Sequence, residues 1–83
     1  MTTHISPENL KLIKSAIVDV WNEIAYDAGH VGDNLEALEL CIDADRLLYA
    51  RNGKQAEPIV KALVAEHGYL QALKLLGKHV KLV

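Results

Sequence analysis

Asp45 is the side chain whose position in the sequence most suggests chemistry. If residues 33–51 form one helix, with about 100° per residue, the Asp45 carboxylate falls inside an apolar arc, between Cys41 and Ile42. A carboxylate buried there needs a hydrogen-bonding partner or a raised pKa. The sequence favours a structural hydrogen bond, or an edge position that reaches water. A ligand-binding or catalytic role stays open, because acids with perturbed pKa values gather at functional sites.

The other reactive side chains lack the spacing of a metal site or of a nucleophilic site. The four histidines and Cys41 show no CxxC, HxxxH or HExxH pattern. Cys41 is predicted to be a small core residue, and a single cysteine fits a reducing compartment. Ser6 is predicted to cap a helix and Ser15 to lie on an exposed face. The sequence therefore predicts no catalytic, metal or cofactor site, and a protein that is not an enzyme.

Two strips of like charge are candidate surfaces for binding a macromolecule. Residues 1–50 carry nine acidic and three basic side chains, whereas residues 51–83 carry two acidic and six basic ones, although the net charge is only −2. The strips could attract each other within the fold or be offered to a partner. The acidic strip is Glu36, Glu39 and Asp43 of the central helix, and the basic strip is Lys74, Lys78 and Lys81 of the last helix.

The apolar content favours self-association. A chain of 83 residues has little interior, yet 51% of this chain is apolar. Apolar surface in excess of the core is typically covered in an oligomer. Leu75 and Leu82 fall outside the main apolar face of the last helix, so they are the predicted exposed apolar contacts. The sequence thus predicts a homodimer.

The first helix is predicted to begin with Ser6 as the N-cap and Pro7 as the first helical residue. Apolar side chains then recur at alternating spacings of three and four residues, which is the pattern of a packing seam. This seam either packs on the domain's own core or forms part of an interface between copies. Its members are Leu10, Ile13, Ile17, Val20 and Ile24.

The remaining chain predicts three more helices. Asp33 and Glu36 have the spacing of a capping box at the start of the central helix, and Gly53 is the predicted left-handed residue after its end. A third helix is predicted over about 57–67, or from an earlier start, and a fourth over about 69–80. The predicted fold is a single all-α domain over residues 1–83, with residues 1–5 as a tail. Its central buried helix packs between a long first helix and a short C-terminal pair.

The last two helices also have the size of a helix-turn-helix unit. A recognition helix needs polar and basic side chains near its N-terminus to reach base edges. The fourth helix begins instead with Tyr69 and Leu70, and its lysines come late. Nucleic-acid binding through residues 57–80 is therefore the second choice, after binding to a protein.

A resemblance adds to this interpretation. The runs Glu39–Leu47 and Glu66–Tyr69, with the Lys-rich tail, resemble small uncharacterised proteins carried by enterobacterial phages and prophages. The resemblance implies an accessory protein that binds a host or phage macromolecule, and it implies no site residues. Neither a signal peptide nor a membrane-spanning segment is recognisable, so the sequence predicts a cytoplasmic protein.

Overall fold

The structure is a computed structural model that describes residues 5–28 and 32–83, with only the backbone described at 26–28, 44 and 45. Within these residues the chain is helical and contains no strand, which confirms the all-α four-helix fold. Residues 1–4 of the predicted tail lie outside the described residues, as do residues 29–31. The helices are α1 (Pro7–Ala28), α2 (Asn34–Ile42), a 3₁₀ segment (Asp43–Tyr49), α3 (Gly53–His67) and α4 (Tyr69–Gly77).

Helix α1 begins as the sequence predicts. The backbone N–H of Asn9 donates to Ser6 Oγ at 3.1 Å, and Pro7 is the first helical residue. The predicted seam faces the interior of the same chain, where it forms the α1 side of the core. Its buried members are Ile13, Ile17, Val20 and Ile24, joined by Ala16.

All the helices contribute to one hydrophobic core, so each element depends on the others for burial. Cys41 lies in this core, as predicted, and is fully buried. Burial of this apolar surface is the main favourable term for a small domain. The buried residues outside α1 include Leu38, Leu47, Ala56, Val60, Leu63, Ala72, Leu73, Leu76 and Val80.

The capping box at the start of α2 is confirmed. The Glu36 N–H donates to Asp33 Oδ1 at 3.0 Å, and the Asp33 N–H donates to Glu36 Oε1 at 3.1 Å. Two backbone N–H groups that the helix itself leaves unpaired are thereby satisfied.

The central helix differs from the prediction in its second half, since α2 ends at Ile42. Asp43 takes an extended backbone conformation (φ −71°, ψ 154°) and its N–H donates to the Glu39 carbonyl. Aspartate side chains compete for the backbone hydrogen bonds of a helix, so the sequence Asp43-Ala44-Asp45 is a weak point for an α-helix. The 3₁₀ segment has about three residues per turn, so its side chains do not follow the α-helical projection. Tyr49, expected in the apolar arc, is 87% exposed.

The connection to α3 also corrects the sequence prediction. The left-handed residue is Asn52 (φ 61°), whereas Gly53 is the first residue of α3. A Cβ atom at Gly53 would overlap the Leu47 carbonyl group, so glycine is needed there for a close approach. Helix α3 therefore starts four residues before Glu57, and Pro58 lies in its second turn.

Candidate functional site

The side chain of Asp45 lies outside the described residues, so its predicted burial stays a prediction. The projection that placed this carboxylate among apolar side chains assumed a continuous α-helix, and the α-helix stops at Ile42. The case for a functional Asp45 therefore loses its geometric basis.

Cys41 and Ser15 occupy structural positions. Burial raises the pKa of the Cys41 thiol to about 11, while the positive charge of Arg46 opposes part of this rise. A thiol with so high a pKa is protonated at neutral pH and is a poor nucleophile. Ser15 Oγ accepts a hydrogen bond from Asn52 Nδ2 at 3.2 Å, which links α1 to the turn before α3.

Both predicted charged strips are exposed, but the predicted apolar contacts beside them are not. Every member of the acidic strip and of the basic strip is solvent-exposed. Leu75 and Leu82 are only partly exposed and pack against the core, so their prediction as exposed contacts is wrong. A turn and an irregular segment after Gly77 carry Leu82 back onto the core, and the helical projection could not anticipate that.

Two hydrogen bonds fix the orientation of α2 against α4. Asn34, at the start of α2, donates from Nδ2 to the Val80 carbonyl at 3.0 Å and accepts at Oδ1 from the Leu82 N–H at 2.6 Å. At the opposite end of the pair, Glu39 and Asp43 lie close to Tyr69. The start of one helix thus meets the end of the other, so α2 and α4 are antiparallel neighbours.

The side of α4 that adjoins α2 carries part of the basic strip. A Cβ atom at Gly77 would lie 3.5 Å from Leu38 Cδ1, which identifies the side of α4 that faces α2. Leu70 and Lys74 lie seven and three residues before Gly77 in α4 and so share its side of the helix, whereas Lys78 and Lys81 follow the end of α4. The basic strip therefore begins beside the helix that carries the acidic strip.

Tyr69 and Leu70 add exposed apolar area at the start of α4. They are 39% and 51% exposed, respectively. Burial of part of the Tyr69 ring raises the pKa of its hydroxyl, and the negative charges of Glu39 and Asp43 raise it further. We call the acidic strip, the basic strip and these two side chains together the charged face. Sequence reasoning missed Leu70, although its place off the main apolar face of α4 was a usable signal.

A cleft opens between the 3₁₀ segment, α3 and the start of α4. Its volume is about 200 Å³. The walls are mostly aliphatic, and an ion pair between Glu57 and Lys61 stands at the rim, with Nζ and Oε2 separated by 3.5 Å. The aliphatic lining residues are Ile42, Leu47, Val60 and Val64, and Tyr69 completes the lining.

Residues 5–28 and 32–83 contain neither a candidate metal site nor a candidate membrane span. No three side chains of the metal-binding types converge there. None of the helices in that part of the chain is both long enough and apolar enough to cross a bilayer.

Comparison with known proteins adds no relative: no family model, no curated protein and no solved structure matches this chain. The resemblance to phage and prophage proteins consequently stays a prediction from the sequence.

Proposed function

We propose that this chain is a non-enzymatic protein-interaction protein that self-associates as a homodimer through the charged face. The observation that carries the proposal is the placement of the two exposed strips along adjoining antiparallel helices. Glu36 and Glu39 lie on α2, with Asp43 directly after its end. Lys74 lies on α4, and Lys78 and Lys81 follow its end. Neighbouring strips of opposite charge form a surface that is complementary to itself.

A twofold axis that runs along the groove between α2 and α4 would bring each strip against its opposite in the second copy. Most homo-oligomers have such closed symmetry, with the same patch used by both subunits. Pairing of exposed charges mainly supplies orientation and specificity, so affinity must come from apolar contacts. Tyr69 and Leu70 supply exposed apolar area next to the strips.

The resemblance to small phage and prophage proteins supports an accessory role. Proteins of this kind would act in the host cytoplasm by binding another macromolecule, and a phage-encoded homodimer would offer two equal surfaces for it. The burial of the α1 seam in the core supports self-association through the α2–α4 region rather than through α1.

The dimer is tested by absolute mass from light scattering behind a sizing column, at two protein and two salt concentrations. We expect a dimer for the wild type. A triple variant with Lys74→Glu, Lys78→Glu and Lys81→Glu should be a monomer, because both copies then present only acidic strips.

The decisive control exchanges charges between the strips. A second triple variant, with Glu36→Lys, Glu39→Lys and Asp43→Lys, should also be monomeric alone, yet an equimolar mixture of the two variants should form a heterodimer. Glu36 forms part of the capping box, so each variant is first checked for helix content by circular dichroism. The matched substitutions Lys11→Glu and Lys14→Glu on exposed positions of α1 should leave the dimer intact. A wild type that stays monomeric under all conditions would contradict the proposal.

Nucleic-acid binding by α3 and α4 is the alternative, favoured by the exposed lysines of the basic strip. The acidic groups Glu39 and Asp43 beside Tyr69 lie at the start of α4, where a recognition helix would approach DNA. Binding of this kind would weaken steeply with salt and disappear in the Lys→Glu triple variant. If a duplex probe shows no mobility shift even at low salt, this alternative fails.

A further inference from the structure

The cleft between the 3₁₀ segment, α3 and α4 combines aliphatic walls with one shielded carboxylate. The Glu57 side chain is only 15% exposed, although it carries an acidic group. Its ion-pair partner, Lys61, is 70% exposed and lies one helical turn further along α3. An ion pair to so exposed a lysine is weak, so the Lys61 ammonium can leave the cleft at little cost.

Two further acidic side chains lie near the cleft. Glu39 and Asp43 lie close enough to Tyr69, which lines the cleft, to raise the pKa of its hydroxyl. A group entering the cleft therefore meets aliphatic walls, the phenol of Tyr69 and the Glu57 carboxylate, with these two negative charges beyond the phenol. Such a lining disfavours an anion and leaves a neutral apolar group without a partner for Glu57.

We propose that this cleft binds a lysine or arginine side chain of a partner protein. The aliphatic stem of that side chain would lie along Val60 and Val64, and its cationic head would displace Lys61 and pair with Glu57. Long basic side chains have this division between an apolar stem and a charged head. The cleft shares Tyr69 with the charged face, but its aliphatic walls and Glu57 lie outside that face, so binding there can be measured separately from self-association.

The test uses two blocked tripeptides that differ only in the ammonium group. Acetyl-alanyl-lysyl-alanine amide and its norleucyl counterpart are titrated into the ¹⁵N-labelled full chain, and backbone amide shifts are followed. We expect a saturable shift at residues 57–64 for the lysyl peptide, and binding at least about fivefold weaker for the norleucyl peptide.

Substitutions at the rim should change the affinity in opposite directions. Glu57→Gln keeps the shape of the side chain but removes its charge, so it should lower the lysyl affinity to that of the norleucyl peptide. Lys61→Ala removes the competing ammonium and should strengthen lysyl binding severalfold, which a merely structural role of Lys61 would not produce. Glu66→Gln, an exposed position of the same helix, is the matched control and should change nothing.

Three outcomes would overturn the proposal: equal affinity for the two peptides, weaker lysyl binding by Lys61→Ala, or no saturable shift near the cleft. Circular dichroism of each variant establishes that α3 is intact before the titration. The peptide titration does not measure the mass of the chain in solution, so it tests the cleft proposal separately from the dimer proposal.

Discussion

The buried thiol of Cys41 should make the free energy of unfolding depend on pH. The thiol is fully buried, and burial raises its pKa from 9.0 to about 11. Because the folded pKa lies above the unfolded one, the folded state holds its proton more tightly. The resulting stabilisation is complete below pH 9 and is lost as the pH rises from about 9 to 11.

Comparison of the wild type with Cys41→Ala isolates this effect. The wild type should lose about 2 kcal/mol more of its unfolding free energy than the variant between pH 8 and pH 10.5. The raised pKa of Tyr69 is common to both proteins, so its contribution cancels in the difference. Urea denaturation at several pH values measures the difference in unfolding free energy between the wild type and Cys41→Ala. If this difference is the same at every pH in that range, the thiol does not titrate as described.

The residues that were predicted correctly have signals confined to a few neighbours in the sequence. Ser6 with Pro7, and Asp33 with Glu36, are such local signals, because a cap bonds within three residues. Asn34 has no comparable signal, since its partners lie 46 and 48 residues away. The shielding of Glu57 likewise arises only when separate elements pack around it.

At the scale of elements, the existence and type of the α-helices and several of their ends were predictable, whereas the break after Ile42, the start of α3 and the end of α4 were not. The periodicity of apolar residues identified α1, α3 and α4 and their buried faces, because burial on one side of a helix imposes that spacing. Asp43 weakens the helix after Ile42 locally, but the 3₁₀ segment that follows also buries Leu47 in the core and brings the Leu47 carbonyl close to Gly53. Neither the burial of Leu47 nor the close approach of Gly53 can be recognised from the neighbouring residues in the sequence.

Two glycines should resist substitution by alanine for different reasons. Gly53→Ala should destabilise the fold by roughly 3 kcal/mol, because the new Cβ meets the Leu47 carbonyl group, which the backbone holds in place. Gly68 has open space around it, but its backbone conformation (φ 89°, ψ 155°) is essentially restricted to glycine, so Gly68→Ala should cost about 1–3 kcal/mol of conformational strain. Thermal and urea unfolding of both variants measure these losses, and an unchanged stability of Gly53→Ala would contradict the described turn.

For the molecule as a whole, Asn34 joins the start of α2 to the segment that follows α4. Asn34→Ala removes the donor to Val80 and the acceptor for Leu82, and should lower the unfolding free energy by about 1–3 kcal/mol. Amide exchange at Leu82 should become faster in the same variant. Asn22→Ala, at an exposed position of α1, is the matched control and should stay within about 0.5 kcal/mol of the wild type. An unchanged Leu82 exchange rate would show that the side chain does not hold this segment.

The bonds of Asn34 also set an order of events during synthesis on the ribosome. Asn34 is added 46 residues before Val80, so α2 leaves the ribosome without the segment that later anchors it. A nine-residue helix is too short to persist alone in water, even with its capping box. The apolar side chains of α2 that pack on α4 consequently stay accessible to chaperones, or to a neighbouring nascent copy, until Val80 and Leu82 have left the ribosome.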